Sequence, residues 1–557
     1  MTFIYDIANS YIGQMAALDP LAATRIGVPG HDAEMTDLSP SGADALSSVR
    51  RRTLAELVAA PIENDRDRIA NEAMKQALEL AEELHEAGDQ YRLNGHRNAS
   101  TNLRGTFDLM PRATEADWRN ILARLRLTPE GLAGYRRTLE EGQRKGIPST
   151  RRQVAEAVTK SMTYGGAAGI PTFFQSLMEA FDKTGIADED FRDDLEAAVA
   201  GAAVSYIRFG RFLSEQFMDT AIERDAVGSE LYQLSSRSFN GIELDLEETY
   251  AWGWEELYRI EREMQETCQH ILPGASVEET KQFLESDPAR AIEGEDPFRQ
   301  WMQDLQDRTI AEMDGVHFDI PGPVKRIEAM LAPPGGSAAM YYTGPSEDFS
   351  RPGRTWYPTL GKTRFPLWGE VSIAYHEGVP GHHFERATAK YLSAELSRFQ
   401  RLVGGTSGYR EGWALYAERL MGELGYLDNP DYYLGMLRAQ AMRSVRVIID
   451  IGMHLELKIP NSERFHPGET WNAVLGDEFA KARAQFPPDF MASEITRYLG
   501  TPGQAISYKV GERCWLEARE SARTRLGDAF NLKDFHRRAL NLGPMGLSQL
   551  KREMANL

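Results

Sequence analysis

The segment HEGVPGHHFE, residues 376–385, constrains the fold more than any other part of the sequence. It places three of the chain's 11 histidines and two carboxylates within ten residues. Gly378, Pro380 and Gly381 stand between the first histidine and the other two. Glycine accepts backbone angles that other residues avoid, and proline removes a backbone donor, so a continuous helix is not expected here. Any fold of this chain has to accommodate a helix that breaks inside a histidine cluster.

The cluster is typical of a divalent metal site. The zinc-protease pattern H-E-x-x-H works because residues four apart share a helix face. Here the fourth residue after His376 is Pro380, and His382 and His383 follow six and seven residues on. In a regular helix six residues turn through about 600° and seven rise about 10.5 Å, so neither histidine would share an ion with His376. A break would bring His382 or His383 back to it, with Glu377 placed to take a proton from water. The alternative is a polar helix end beside a Pro-Gly turn.

A second segment, EGWALYAERL at residues 411–420, is the candidate source of a third ligand. Its pattern predicts a helix that begins after a glycine-rich loop and carries Glu411 in its first turn. A catalytic zinc site takes three protein ligands and leaves one position open, which two histidines and Glu411 would satisfy. Glu418, two turns along, is the reserve candidate. A glutamate near a helix N-terminus also occurs simply because it stabilises the helix dipole.

The remainder of the chain predicts a mainly α protein. Apolar residues at three- and four-residue steps predict long helices in five segments before residue 320, namely 68–88, 149–162, 188–218, 244–269 and 298–313. Residues 333–366 are rich in glycine and proline around short β-prone runs, which predicts a small sheet or hairpin. An edge strand there, with Tyr342, would suit an extended substrate, although an ordinary connecting hairpin is equally consistent. Prolines near residue 321 suggest two parts, 1–320 and 321–557, within one continuous domain.

Two further segments carry polar candidates. The apolar helix predicted at 432–458 has a narrow polar line from which we expect an Arg446–Asp450 pair, a substrate contact from Arg446 and a catalytic His454 facing the cleft. The alternative is an amphipathic helix with a narrow polar face exposed to solvent. In TPGQAISYKVG, residues 501–511, Gln504 and Tyr508 share a face if the helix begins at the proline. Tyr508 would donate to an oxyanion and Gln504 would contact substrate, unless both only pack.

Composition excludes several classes of function. The chain has 557 residues, 42% of them apolar, and a formal charge of −20, which disfavours nucleic acid and anionic membranes. Its two cysteines, Cys268 and Cys514, are far apart, which fits a reducing compartment and excludes a thiolate cluster. Neither a basic leader nor a long apolar run is found, so the cytoplasm is the expected location. The oligomeric state is left open, with a homodimer as one option.

Three motifs taken in order, HEGVPGHHFE, EGWALYAE and PGQAISYKVG, resemble the bacterial family of unknown function DUF885, placed among the zincin-type metallopeptidases. YAWGWEELYRIEREM and RVIIDIGMH look like the same family. More remotely the chain is similar to helical gluzincins such as angiotensin-converting enzyme and the oligopeptidases. That resemblance implies two helical lobes around a deep channel, a small sheet beside the metal helix, and the following roles: His376, His382 or His383, and Glu411 as zinc ligands, Glu377 as general base and Tyr508 as oxyanion donor.

The sequence departs from the gluzincin pattern by a two-residue insertion that includes Pro380. The expectation is therefore a two-lobed helical zinc hydrolase acting on short peptides, with a non-peptide amide or ester as the alternative substrate. A helical scaffold that has lost the metal is a second class of function. Non-haem iron is a third, because two histidines and a carboxylate also form its facial triad.

Overall fold

The computed structural model describes residues 2–167, 172–332 and 339–557, which form mainly α-helices with two small sheets. The expected mainly α class is confirmed. The chain divides into two compact units, one of Met1–Pro61 with Leu78–Asp225 and the other of Ile62–Ala77 with Ala226–Leu557. This division differs from the boundary near residue 320 that the sequence suggested, because the helices of residues 226–320 pack in the second unit.

The described residues of the first unit form α-helices joined by loops, with no β-strand among them. Its helices, in chain order, are α1 Phe3–Leu18, α2 Pro20–Ile26, α3 Pro40–Ala59, α4 Asp65–Glu86, α5 Ala99–Thr106, α6 Glu115–Arg144, α7 Arg151–Gly165, α8 Phe173–Asp182 and α9 Glu189–Phe212. Helix α4 begins in the second unit and ends in the first. Thr114 caps α6 through a capping box with Asp117, and Trp118, Ile121 and Leu125 on its inner face are buried in the unit's own core.

The second unit contains both sheets and the histidine cluster. Its helices, in chain order, are α10 Ser229–Asn240, α11 Leu246–Ile271, α12 Val277–Ser286, α13 Glu295–Met313, α14 Glu370–Glu377, α15 His382–Tyr391, α16 Arg398–Leu402, α17 Ser407–Glu423, α18 Pro430–Leu455, α19 Ala473–Arg483, α20 Pro488–Gly500, α21 Ser507–Leu526, α22 Leu532–Asn541 and α23 Leu547–Met554. Its strands are β1 Ala291–Glu293, β2 Ile327–Leu331, β3 Tyr341–Thr343, β4 Gly353–Tyr357 and β5 Arg364–Pro366.

Helix α18 forms the centre of the second unit, and nearly all of its residues are buried. Helix α11 packs along it so closely that a Cβ at Gly253 would lie 2.9 Å from the Val447 side chain. Tyr250, Trp254 and Leu257 on α11 belong to the same core. The aromatic run of α11 is therefore packing, as aromatic residues at helical spacing usually are.

The strand-prone region forms a three-stranded sheet in the order β2-β4-β3. Strands β3 and β4 pair antiparallel, as the sequence predicted, with Tyr342 opposite Thr355. Strand β2 pairs parallel with β4, and β1 pairs antiparallel with β5 in a separate ribbon. Residues 333–338 of the predicted sheet region lie outside the described residues. Among the described residues, no helix combines the length and apolar character needed to cross a membrane.

Candidate metal centre

The helix that carries the histidine cluster breaks where the sequence predicts a break. Helix α14 ends at Glu377, the Val379–Pro380 peptide bond is cis, and α15 begins at His382. The turn between these two helices is tight, because the Gly381 N–H donates to the Tyr375 carbonyl at 3.0 Å. A Cβ at Gly381 would lie 2.0 Å from the His376 carbonyl oxygen, so only glycine fits. This turn replaces the four-residue helical spacing of a regular zinc-protease motif.

The break brings His376 and His382 together. Their ring centroids are 4.8 Å apart and the ring planes are 86° apart. Nitrogen atoms of both histidines and a carboxylate oxygen of Glu377 lie within 4.8 Å of one another, and all three residues are buried. Glu411, in the first turn of α17, places its Oε2 atom 3.5 Å from His376 Nε2 and 3.3 Å from His382 Nε2. Two imidazoles and two carboxylates therefore form one buried group that could hold a metal ion.

The spacing of these atoms fits a tetrahedral ion. Ligand atoms about 2.0–2.2 Å from zinc at tetrahedral angles are about 3.3–3.5 Å from one another. The two separations from Glu411 Oε2 to the histidine Nε2 atoms fall in this range. Glu411 Oε2 is also buried and has no hydrogen-bond donor among the described residues. Buried carboxylate oxygens are normally satisfied, so this atom is positioned as a ligand would be.

Glu418 holds the other nitrogen of His376. The His376 Nδ1–H donates to Glu418 Oε1 at 2.8 Å, and the Ser372 hydroxyl donates to Glu418 Oε2. When the ring is neutral, this bond selects the tautomer in which Nε2 carries no proton and is directed at the group, as carboxylates behind metal-binding histidines do. Glu418, the reserve ligand of the sequence analysis, is thus bonded to a histidine instead. Arg443 lies 4.0 Å from the same carboxylate.

Charge and burial determine the protonation of the group. Burial opposes ionisation of His376, yet the carboxylates of Glu411 and Glu418 more than offset it and raise its pKa to about 9. Burial alone would raise the pKa of Glu411, but His382 and His376 hold it well below its usual value. The pKa of Glu377 is raised, chiefly because burial disfavours its charged form. The site therefore holds one carboxylate that stays ionised and one that readily holds a proton.

His383 lies outside the candidate metal group. Its Nε2–H donates to the Val324 carbonyl at 2.6 Å, and the Tyr342 hydroxyl lies 3.0 Å from its Nδ1 atom. Burial lowers its pKa to about 4, so the ring is neutral and both of its nitrogens are already bonded. The choice that the sequence left open therefore goes to His382. Tyr342, the candidate substrate contact, lies in β3, and its hydroxyl contacts His383 in α15 instead.

Tyr508 lies against the metal group. Its ring is stacked on the His376 ring with centroids 6.2 Å apart and planes 19° apart. The Arg446 guanidinium lies over the Tyr508 ring at 4.6 Å, within the range of a cation–π contact. No hydrogen bond of the Tyr508 hydroxyl is found within the described residues. Burial and the nearby Glu411 raise its pKa, so the hydroxyl keeps its proton.

Gln504 and Tyr508 do not share a helix, contrary to the sequence prediction. Helix α21 begins at Ser507, and Gly503 adopts a positive φ of 78° in the turn before it. The Gln504 side chain is bonded on both sides, accepting from Arg497 and donating to the Ser407 hydroxyl at 3.3 Å. The proline therefore opens a turn, because Gly503 interrupts the helical path.

The polar side chains of α18 also have partners that differ from the predicted ones. Arg446 pairs with Glu494 at 2.7 Å and donates to the Tyr498 hydroxyl, whereas Asp450 accepts from Tyr232 and the Gly503 N–H. The predicted Arg446–Asp450 pair is wrong, because each side chain meets a closer partner from another segment.

His454 is not found beside the metal group. It is fully buried, and its Nε2–H donates to the Tyr498 carbonyl at 3.1 Å. Its ring packs on Tyr232 with centroids 5.5 Å apart. The expectation that His454 faces a cleft is wrong, because a neutral imidazole at the end of a buried helix is satisfied by a neighbouring backbone carbonyl.

Three supporting residues were missed by the sequence analysis. The Gln306 amide donates to the Ala374 carbonyl at 2.8 Å, and its Oε1 accepts from the Val379 N–H, so it secures the helix break from α13. Ser372 and Arg443 contact Glu418 as described above. Ser372 lies four residues before His376, so the sequence indicates that both residues share a helix face. Nothing in the sequence indicates the other two, which come from distant segments.

Comparisons with known proteins agree on the fold. The family described as "Bacterial protein of unknown function (DUF885)" matches residues 20–554. A candidate lipoprotein from Colwellia psychrerythraea has a similar structure, with a TM-score of 0.86, 22% identity and coverage of 100% of this chain and 99% of that one. A candidate lipoprotein of unknown function from Shewanella oneidensis gives a TM-score of 0.72 and 16% identity, with 99% of both chains covered. No curated protein matches the chain.

Proposed function

This chain belongs to the bacterial family DUF885, whose function is unknown, and from its buried metal group we propose that it is a zinc-dependent hydrolase that cleaves short peptides or related amides. The observation that carries the proposal is that Glu411 Oε2 lies 3.5 Å from His376 Nε2 and 3.3 Å from His382 Nε2, with Glu377 in the same group as the two histidines. Three ligands with a second carboxylate in reach are what a hydrolytic zinc site requires.

His376, His382 and Glu411 would hold the ion, since their donor atoms match zinc in type and spacing. A bound zinc ion would supply a Lewis acid for a substrate carbonyl and would lower the pKa of a coordinated water. Glu418 keeps His376 in the required tautomer. Because Glu418 is itself held by Ser372, the first ligand is oriented before any ion arrives.

Glu377 is the proposed general base. It follows His376 directly in the chain and belongs to the same buried group. Its raised pKa means that it can accept the proton of the attacking water and then deliver it to the leaving nitrogen.

Tyr508 is the proposed donor to the oxyanion that forms during attack. Its hydroxyl makes no hydrogen bond among the described residues, and its ring contacts both His376 and Arg446. A fixed, protonated hydroxyl donates to developing negative charge without reorganising first. Arg446 contacts the Tyr508 ring and is bonded to Glu494 and the Tyr498 hydroxyl, so we assign it to positioning Tyr508 and no longer to substrate.

Several finer expectations stay predictions. These are the two-lobed zincin-like arrangement with a central channel, a small peptide-like substrate without nucleic acid or membrane partners, and an undetermined oligomeric state. Both structural relatives are described as candidate lipoproteins, which raises the cell envelope as an alternative to the cytoplasm for this chain. Cell fractionation followed by immunoblotting distinguishes these locations.

The proposal is tested with Glu377→Gln in protein purified without added metal. We expect zinc by elemental analysis in both the variant and the parent, and cleavage of a diverse peptide pool, read by mass spectrometry, about 10²- to 10⁴-fold slower in the variant. The exposed Glu312→Gln serves as the matched control and should behave as the parent. Iron in excess of zinc would favour an oxygenase-type site, and protein without metal would favour a scaffold. A fully active Glu377→Gln protein would refute the assigned base.

A further inference from the structure

Helix α15 carries cations on the same face as the metal ligand His382. His382, Arg386 and Lys390 are spaced four residues apart, so they form a row with about 6 Å between neighbours. Side chains in a helix lean toward its N-terminus, so Arg386 leans toward His382. The row therefore starts at the candidate metal group and runs along the helix away from it.

Two more cations join the row from neighbouring segments. Lys390 donates to the Pro345 carbonyl, and Arg351 donates to the adjacent Gly344 carbonyl at 3.2 Å, so these two charges lie close together. Arg410 precedes the metal ligand Glu411 in α17. Burial and the nearby Arg386 lower its pKa to about 10. We call Arg351, Arg386, Lys390 and Arg410 the basic strip.

Arg386, Lys390 and Arg410 form no ion pair with a carboxylate among the described residues. Arg386 makes no hydrogen bond or ion pair with any of them, although it is only half exposed. Lys390 is 8% exposed, and the hydrogen bond given above is to a neutral carbonyl. Arg410 likewise donates to the Gly404 carbonyl. A buried lysine normally has a carboxylate partner, so this arrangement differs from an ordinary structural ion-pair network.

Nearby carboxylates offset these charges only in part, although Glu385 and Glu411 both act on Arg410. Glu347 is bonded to Arg398 and Arg401, outside the strip. The charges of Arg410 and Arg386 act on Glu385, which is 2% exposed, but burial raises the pKa of this carboxyl and neither of its oxygens has a hydrogen-bond partner among the described residues. The strip therefore carries more positive than negative charge, in a chain whose formal charge is −20. Burial, followed by the charges of Arg386 and Arg351, lowers the pKa of Lys390 to about 7, and a bound anion would relieve this repulsion.

We propose that the basic strip binds a carboxylate of the substrate, with Arg386 as its main contact. One helical turn of about 6 Å separates Arg386 from His382, which corresponds to about two residues of an extended peptide. The carboxylate would therefore lie within about two residues of the bond that is cleaved. Either the C-terminus of a peptide or an acidic side chain presents this group. The cleavage position rests on the proposed hydrolytic function, whereas the binding of the carboxylate does not.

The test measures binding without turnover. Metal-loaded Glu377→Gln protein is titrated calorimetrically with acetyl-pentaalanine as the free acid and as the C-terminal amide. Two further amides carry glutamate or glutamine at the fourth position. We expect the free acid, or the glutamate amide, to bind about tenfold or more tightly than its uncharged counterpart. Preference for the free acid assigns the strip to a C-terminal carboxylate, and preference for the glutamate amide assigns it to an acidic side chain.

Variants connect the preference to the strip. Arg386→Gln, added to the same background, should reduce the preference for the charged peptide to less than about threefold, while its affinity for the uncharged peptide stays unchanged. Lys390→Gln should reduce the preference in the same direction, which keeps the test valid if one variant folds poorly. The exposed Arg525→Gln is the matched control and should keep the full preference.

Equal affinity for all four peptides would overturn the proposal, as would a preference that survives in both Arg386→Gln and Lys390→Gln. The hydrolytic function fails separately. If the parent protein cleaves none of the peptides but binds the charged ones selectively, the basic strip is correct and the assigned reaction is wrong.

Discussion

At the scale of single residues, the neighbours of a side chain decide its role. His382 and His383 are adjacent and chemically identical, yet only His382 has a nitrogen directed at Glu411, at 3.3 Å. His383 uses both ring nitrogens on Val324 and Tyr342. The same holds for Glu411 and Glu418, which lie two turns apart on one helix and contact opposite nitrogens of His376.

Substituting each adjacent histidine tests this division of roles. His382→Ala should remove a ligand and lower metal content to background. His383→Ala should keep the metal but leave the Val324 carbonyl and the Tyr342 hydroxyl unpaired, which costs roughly 2–4 kcal/mol of unfolding free energy. Elemental analysis and urea unfolding of both variants provide the measurement. Metal loss in His383→Ala alone would reverse the assignment.

Glu418→Gln tests the orientation of the first ligand. The amide keeps the shape of the carboxylate but loses its charge, so it fixes the His376 tautomer less strongly. We expect metal affinity to fall about 10- to 100-fold in competition with a chromogenic chelator. Glu312→Gln should leave it unchanged. An affinity within twofold of the parent would show that Glu418 contributes only packing.

At the scale of elements, the important feature is the turn between α14 and α15. Its glycines permit contacts that no other residue allows, because a Cβ at Gly378 would lie 2.1 Å from the Gln306 amide and one at Gly381 would meet the backbone. This turn, and not a four-residue helical spacing, brings the candidate ligands His376 and His382 together.

Gly381→Ala should therefore damage the fold and the metal site together. The added methyl group has to displace the His376 backbone, so we expect a loss of about 3 kcal/mol or more in stability and reduced metal content. Gly13→Ala is the matched control, because no atom lies within 4 Å of a Cβ there. Alanine in the middle of α1 should be neutral or stabilising by up to about 1 kcal/mol. Normal metal content in Gly381→Ala would contradict this account of the turn.

Helix α18 contributes a pH dependence through Asp450. Burial raises the pKa of this carboxyl from 3.8 to about 7, although Tyr232 and the Gly503 N–H both donate to it. Arg446 and Arg497 act in the opposite direction, and His454 lies 3.8 Å away. The unfolded chain releases this proton at lower pH than the native state does. The contribution to stability is therefore complete below pH 3.8 and is lost as the pH rises to about 7.

Asp450→Asn isolates this contribution. The amide keeps an acceptor for both donors and cannot ionise. Relative to the parent, the variant should gain stability between pH 4 and pH 8, by up to about 4 kcal/mol at 1.36 kcal/mol per pH unit. Urea unfolding of both proteins across this range measures the difference. A difference that is constant with pH would show that Asp450 is ionised in the native state throughout.

At the scale of the whole molecule, each compact unit has its own hydrophobic core. Trp118, Leu125 and Phe209 belong to the core of the first unit, and Trp413, Ile448 and Trp515 to that of the second. All residues of the metal group belong to the second unit. Metal binding should therefore stabilise that unit specifically.

Calorimetry with and without a chelator tests this expectation. A ligand present at 100 times its dissociation constant stabilises the state that binds it by about 2.7 kcal/mol. We expect chelation to lower the melting temperature of the second unit and to leave that of the first unit unchanged. Limited proteolysis with mass spectrometry assigns each transition to its unit. An equal shift of both transitions would show that the metal stabilises the molecule as one cooperative body.

The sequence by itself determined the features that depend on local interactions. Helical periodicity predicted the mainly α class, and the glycines and proline of residues 378–381 predicted the break between α14 and α15. The pairing of β3 with β4 was also accessible, because both strands lie close in the chain. The histidine cluster marked the metal group for the same reason, since its donors are neighbours in sequence.

Only the tertiary structure decided how distant groups are paired. It selected His382 over His383, gave Arg446 and Asp450 separate partners, enclosed His454, and added β2 to the sheet in parallel. Each of these outcomes depends on which segment packs against a given side chain. A buried polar group has to find a partner, and the partners here come from segments that no local pattern brings together.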